Sequence, residues 1–139
     1  MVGRGRILAL DYGIKNVGIA YSDQLGITVR PLASLRNRNR RDLIHQIRAA
    51  VRETGAQELV VGIPLNMNGT SGESVHRVGG FIEILRSEMD LPVNRVDERL
   101  STVEALDIWH SMNLRQRRKY RTVDSLAAAF ILERFLEET

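Results

Sequence analysis

The sequence contains no cysteine, which excludes disulfides, thiolate nucleophiles and cysteine-held zinc or iron–sulfur centres. Histidine is nearly as scarce: His45, His76 and His110 stand far apart, a scatter that makes no His-rich metal site. Aromatic residues make up 5% of the chain and mark no obvious sticky interface. No apolar run approaches the roughly 18 residues of a membrane span. After Met1-Val-Gly-Arg-Gly-Arg6 only the short run Ile7 to Leu10 precedes Asp11, which is not the pattern of a signal peptide. These absences lead to the expectation of a soluble, cytoplasmic protein with no membrane partner.

Lysine is also rare. Lys15 and Lys119 are the two lysines, so 18 of the 20 basic residues are arginine. The formal net charge is +3 and the sequence pI is near 9.8. Arginine makes forked, bidentate contacts to phosphate that lysine cannot make. Base composition alone can enrich arginine, but the balance also suits a polyanionic partner. At 139 residues the chain has the length of one domain and can bury a core without covalent staples.

The pattern along the chain reads βββαβαβαα. Arg6 to Leu10 and Asn16 to Tyr21 are short strands around a turn at Gly13, a hairpin signal. Ile27 to Leu35 reads as a third strand, and Pro31 makes it an edge strand. Leu43, Ile44, Ile47 and Val51 give Arg40 to Glu53 a helical stripe, closed by Gly55. Glu58 to Ile63 is a continuous apolar run, as in a buried parallel strand. A polar loop from Asn66 to Gly72 leads to a helix over Glu73 to Met89, with Thr70 and Glu73 as a capping box. Val93 to Val96 is a strand. A helix from Ser101 to His110, capped by Ser101 and Glu104, precedes a polar, basic segment over 111–120. Thr122 caps a last helix carrying Leu126, Ala127, Phe130, Ile131, Arg134 and Phe135. Such an order implies a mixed sheet with helices on both faces.

Three carboxylates hold special places. Asp11 ends the first strand, Glu98 follows the Val93 strand beside Asp97, and Asp124 lies in the first turn of the last helix. Ligands of open α/β sheets gather at the carboxyl ends of strands. Strand alternation lets only one of Asp97 and Glu98 face such a cluster. Clustered carboxylates repel one another, and a hard divalent cation with oxygen preference relieves the repulsion. Two such ions about 4 Å apart support in-line phosphoryl displacement. Asp124 also suits a helix N-terminus for its dipole alone, and Asp97 and Glu98 also read as loop charges. Asp11 is the hardest to explain without chemistry.

Four segments together resemble the YqgF/RuvX family of the RNase H-like superfamily, which also holds the RuvC-type Holliday junction resolvases. They are Leu10-Asp-Tyr-Gly-Ile-Lys-Asn-Val-Gly-Ile-Ala-Tyr-Ser-Asp23, Val60-Val-Gly-Ile-Pro-Leu-Asn-Met-Asn-Gly-Thr70, Val96-Asp-Glu-Arg-Leu-Ser-Thr-Val-Glu-Ala105 and Val123-Asp-Ser-Leu-Ala-Ala-Ala-Phe-Ile-Leu132. The resemblance implies an α/β RNase H-like fold: a mixed five-stranded sheet flanked by helices on both faces, in one domain over 1–139. It implies a nuclease using Mg²⁺ or Mn²⁺, with two ions, held by Asp11, Glu98 and Asp124. The family is linked to 5′-end processing of pre-16S ribosomal RNA and, as an alternative, to Holliday junction resolution. Structured RNA and branched DNA are thus the expected partners, for a monomer or a homodimer. A non-catalytic nucleic-acid-binding assembly factor is a rival reading. Actin-like ATPases also open with Asp-x-Gly after a strand, but need two lobes larger than this chain. Asn16 and Asn68 depart from the family pattern, where a basic residue and an aspartate are usual.

Lys15, close to Asp11, is a candidate to neutralise a phosphate. Asn66 lies in the polar loop, whose backbone N–H groups suit an anion. Arg99 pairs either with Glu98 or with substrate. Arg115, Arg117, Arg118, Lys119 and Arg121 form a basic run beside Asp124, with Tyr120 able to stack on a base. Arg36, Arg38, Arg40 and Arg41 form a second cluster at a helix start, where the macrodipole disfavours positive charge. Gly13 and Gly18 permit close backbone approach, Ser101 and Thr102 read as caps, and Trp109 reads as core.

Overall fold

The computed structural model describes residues 5–64, 73–98 and 102–138, with positions 64, 73, 74, 98 and 102–104 described by their backbone alone. β1 (Ile7–Tyr12) and β2 (Asn16–Ser22) form an antiparallel hairpin. β3 (Val29–Arg36) pairs antiparallel with β2 at the sheet edge. Its Pro31 stands opposite Ala20 and, on an edge strand, removes no ladder bond that a further strand would need. β4 (Glu58–Pro64) lies parallel to β1 on its other side, and β5 (Val93–Glu98) lies parallel to β4. The order is β3-β2-β1-β4-β5, so the expected mixed five-stranded sheet is what the chain builds.

Among the described residues five helices accompany it: α1 (Arg40–Thr54), α2 (Glu73–Glu88), α3 (Thr102–Ser111), α4 (Leu114–Tyr120) and α5 (Val123–Glu137). The expected βββαβαβαα order therefore lacks one element, α4. That helix buries no residue, so it leaves no apolar stripe to read. Local bonds start it: Asn113 Oδ1 accepts from Gln116 N at 2.9 Å, and Gln116 Oε1 accepts from Asn113 N at 3.0 Å. Such a reciprocal box satisfies donors at the helix start without a core. The capping boxes expected at Thr70/Glu73 and Ser101/Glu104 lie outside the described side chains. No helix among the described residues is long and apolar enough to cross a membrane.

Period-two alternation divides β1 between two cores. Leu8 and Leu10 join Leu43, Ile47, Phe81 and Leu85 of α1 and α2. Ile7 and Ala9 join Val60, Val96 and the α5 residues Ile131, Leu132 and Phe135. Ala20 meets Ala128 and Ala129 of α5. Small residues on both surfaces bring this helix close to the sheet, and Leu126 to Ala129 are all buried. Asp11 follows Ala9 by two positions, so alternation assigns it to the α5 face, whereas Tyr12 packs toward α2, with its ring centroid 4.1 Å from that of Phe81.

Candidate active site

Asp11 ends β1 and Asp124 lies in the first turn of α5. The Asp11 carboxyl is pushed up from 3.8 to about 7, first by burial and then by the charge of Asp124. Burial also raises Asp124. Among the described residues, neither carboxylate has a hydrogen bond or ion pair with a protein group. A neighbouring carboxylate that is not neutralised by a cation favours the protonated form, as the charge of Asp124 does at Asp11. This donor set, all carboxylate oxygen, fits a hard divalent cation. Asp11 and Asp124 are the two acids seen together; no group of three metal-ligating side chains occurs among the described residues.

The pair is brought together by a residue without a side chain. Gly18 stands opposite Asp11 in the β1–β2 register. A Cβ there would lie 1.9 Å from the Asp124 carbonyl oxygen, so only glycine lets α5 dock at this depth. A hydroxyl clasp fixes the same helix end. Thr122 Oγ1 accepts from Ser125 N at 3.0 Å, and Ser34 Oγ lies 2.6 Å from Thr122 Oγ1. Ser125 is fully buried and donates to the carbonyl of Leu32. The clasp ties α5 to edge strand β3, which aims the first turn at β1. Sequence reading recognised Thr122 as a cap and missed Ser34 and Ser125. The spacing Thr122–Ser125 was a visible signal, but the partner strand was not.

Glu98 ends β5, where its backbone is level with Pro64. It stands two positions after Val96, which packs on the α5 side. Asp97 is exposed. Asn66, Arg99, Thr70 and Ser101 fall outside the described residues.

The basic segment divides by role. Arg117 donates through Nε to the Trp109 carbonyl at 2.9 Å and through Nη2 to the His110 carbonyl at 3.2 Å. Its guanidinium also lies over the Trp109 ring, 5.5 Å from the centroid. Trp109 is thus half-buried beneath Arg117 and is not a core residue as expected. Arg115, Arg118, Lys119 and Arg121 are exposed. Lys119 stands over the Tyr120 ring at 5.6 Å, and its charge also acts on Glu133 of α5. Lys15 is exposed on the β1–β2 turn. That turn is held by Asn37, whose N–H meets the Lys15 carbonyl at 2.8 Å and whose Nδ2 meets the Gly13 carbonyl at 2.8 Å.

Comparison with known proteins places this arrangement. Residues 5–138 match the family model described as "RuvX: Holliday junction resolvase". The chain belongs to the RuvX family. It is 41% identical to a protein of Moorella thermoacetica named "Putative pre-16S rRNA nuclease", over 95% of this chain and 94% of that one. It is 38% identical to a protein of Koribacter versatilis bearing the same name, over 96% and 87% respectively. Among solved structures, the fowlpox virus resolvase in complex with Holliday junction DNA aligns with a TM-score of 0.59 at 13% identity, over 96% of this chain and 97% of that one. Thermus thermophilus RuvC with its Holliday junction substrate aligns at 0.58 and 12%, over 96% and 94%. At that identity the likeness concerns the fold, which is RNase H-like as the sequence led us to expect. RuvX is a family of nucleases, and the Asp11–Asp124 pair lies at the carboxyl end of a central strand, where such sheets hold their ligands.

Proposed function

We propose that this RuvX chain is a divalent-cation-dependent nuclease of one RNase H-like domain, acting in 5′-end processing of pre-16S ribosomal RNA. The observation that carries the chemistry is the Asp11–Asp124 pair, with its raised proton affinity and no ion pair to a protein cation among the described residues. The relatives named for pre-16S rRNA, matched over nearly their whole length, support the substrate.

Asp11, Asp124 and Glu98 would hold Mg²⁺ or Mn²⁺, as two ions. Glu98 is the third acid because it shares the strand parity of Val96, whereas Asp97 does not. Such a cation supplies charge for an attacking water and for the leaving oxygen of an in-line displacement. Asp11 and Asp124 keep their carboxylates ionised and aimed once that charge is present. The clasp of Ser34, Thr122 and Ser125 keeps Asp124 from relaxing away from Asp11 under their mutual repulsion. Lys15, Asn66, Arg99, Arg115, Arg118, Lys119 and Arg121 are assigned to nucleic-acid contact. Arg117 contributes through the shape of the α3–α4 turn.

The family description favours a second substrate, the four-way DNA junction. Cutting it symmetrically needs two copies of the chain, whereas RNA trimming needs one. The test is cleavage of labelled pre-16S 5′ leader, single-stranded RNA, duplex DNA and a four-way junction, with Mg²⁺, Mn²⁺ or EDTA. Metal-dependent cutting of the leader, lost in Asp11→Asn, is the expected result. Preferred, paired cutting of the junction transfers the assignment to resolution. Nucleic acid bound but never cut leaves a binding module.

A further inference from the structure

On the other face of the sheet a groove of about 400 Å³ opens between α1 and α2. Tyr12 lines it from the end of β1, with Asn37 and Arg40 on one side and His76, Arg77 and Gly80 on the other. No carboxylate is among its described lining residues. Arg40, His76 and Arg77 are exposed, and none has an ion pair among the described residues. Arg36, Arg38 and Arg41 flank Asn37 and Arg40 in the chain and are exposed as well. Guanidinium groups gathered in this way repel one another, and a bound polyanion relieves that repulsion.

A second observation is independent of charge. Gly79 and Gly80 sit inside α2, where each glycine costs about 1 kcal/mol relative to alanine. Neither has φ in the left-handed region, and a Cβ on either would meet nothing within 4 Å. Packing and backbone conformation therefore do not call for glycine here. At Gly80, the missing side chain keeps the groove open.

Asp11 and Tyr12 are neighbours at the carboxyl end of β1, one on each face. A strand whose phosphate reaches Asp11 can pass the sheet edge and enter this groove. We propose that the groove binds the phosphodiester backbone of the substrate strand next to the cleavage point, with Arg40 and Arg77 on its phosphates and Tyr12 beneath. The inference rests on the nuclease reading for its substrate class but is tested by binding, not by cutting.

The experiment measures binding of a short unstructured strand, as RNA and as DNA, across a salt series in EDTA. Arg40→Ala/Arg77→Ala is expected to weaken binding about tenfold and to lower the salt slope by about 1.4, the share of two single-strand phosphates. Gly80→Leu is expected to weaken binding while raising the melting temperature, an outcome that misfolding cannot produce. The matched control Arg48→Ala/Arg52→Ala, at the far end of α1, is expected to bind nearly as wild type. Equal loss in the control and groove variants, or wild-type binding by both groove variants, overturns the proposal. So does displacement of the strand by a nucleoside monophosphate at equal phosphate concentration, which would make this a free-nucleotide site. Loss in one sugar series alone assigns the groove to that nucleic acid. Cleavage that fails while groove-dependent binding persists counts against the nuclease reading only.

Discussion

A Cβ on Gly18 would lie 1.9 Å from the carbonyl oxygen of Asp124 and 2.9 Å from the nitrogen of Ser125. β2 and the first turn of α5 therefore meet backbone to backbone. Because Gly18 also stands opposite Asp11, a position with no side chain sets how near the two acids come.

Gly18→Ala is expected to push the first turn of α5 away from the sheet. Overpacking against backbone should cost about 2–3 kcal/mol of stability, and displacement of Asp124 should slow cleavage about 100-fold. Gly55→Ala is the control: φ is +74° there with nothing near a Cβ, so stability should fall by about 1 kcal/mol while cleavage stays unchanged. Denaturant melts and single-turnover rates on both variants check this. Equal rates for Gly18→Ala and wild type would refute it.

Asp11→Asn should abolish cutting and leave nucleic-acid binding nearly intact. The metal-free protein makes a sharper prediction. Asp11 titrates near 7 when folded against an ordinary 3.8, so the folded state holds this proton more tightly. The stability it contributes is full below its ordinary value and is lost as pH rises toward 7. In EDTA at about pH 8, Asp11→Asn should therefore melt higher than wild type, by about 5 °C or more, and the gap should close toward acid. Mn²⁺ should raise the wild-type melting temperature more than that of the variant. A gap that does not change with pH would mean that charge burial is not its origin.

Ser125→Ala should leave the Leu32 carbonyl without its hydroxyl donor in a fully buried place, at about 1–3 kcal/mol. Ser125→Cys keeps the size and only a weak donor, so it should recover part of the stability and less of the rate. If the clasp aims Asp124, the loss appears in kcat rather than in KM, as steady-state kinetics would reveal. Loss confined to KM would assign the clasp another role.

Arg117 and Arg118 are neighbours in sequence and should separate in behaviour. Arg118→Ala should weaken binding and lower its salt dependence by about 0.7–0.9 per phosphate contact, without changing the melting temperature. Arg117→Ala should lower the melting temperature, since three contacts to the end of α3 go with it, and Arg117→Lys should not restore a forked bond to two carbonyls. Matching salt slopes for Arg118→Ala and wild type would remove Arg118 from the interface.

The sheet was legible because its signals are local and repeated. Ile7 to Leu10 is apolar at every position because both faces of β1 are covered, and Pro31 marks the strand that becomes the edge. The α4 helix was not legible, since Asn113 and Gln116 start it without an apolar face. Trp109 read as core because its bulk suggests burial, but the guanidinium that covers it comes from another helix. The acids were legible as strand-end and helix-start residues. Their pairing depends on Gly18, Ser34 and Ser125, whose roles appear only when β2, β3 and α5 lie together. The groove was half legible: Arg40 stood out in the basic cluster, and Arg77 and Gly80 did not.

α5 covers Ile7, Ala9, Val60 and Val96, and it also carries Asp124. Its partner acid is on the first strand. Asp11 precedes Asp124 in synthesis, so a nascent chain that has not yet folded α5 onto the sheet cannot hold the pair. The element that completes the second core is the one that completes the acid pair, so the two acids meet only as that core closes.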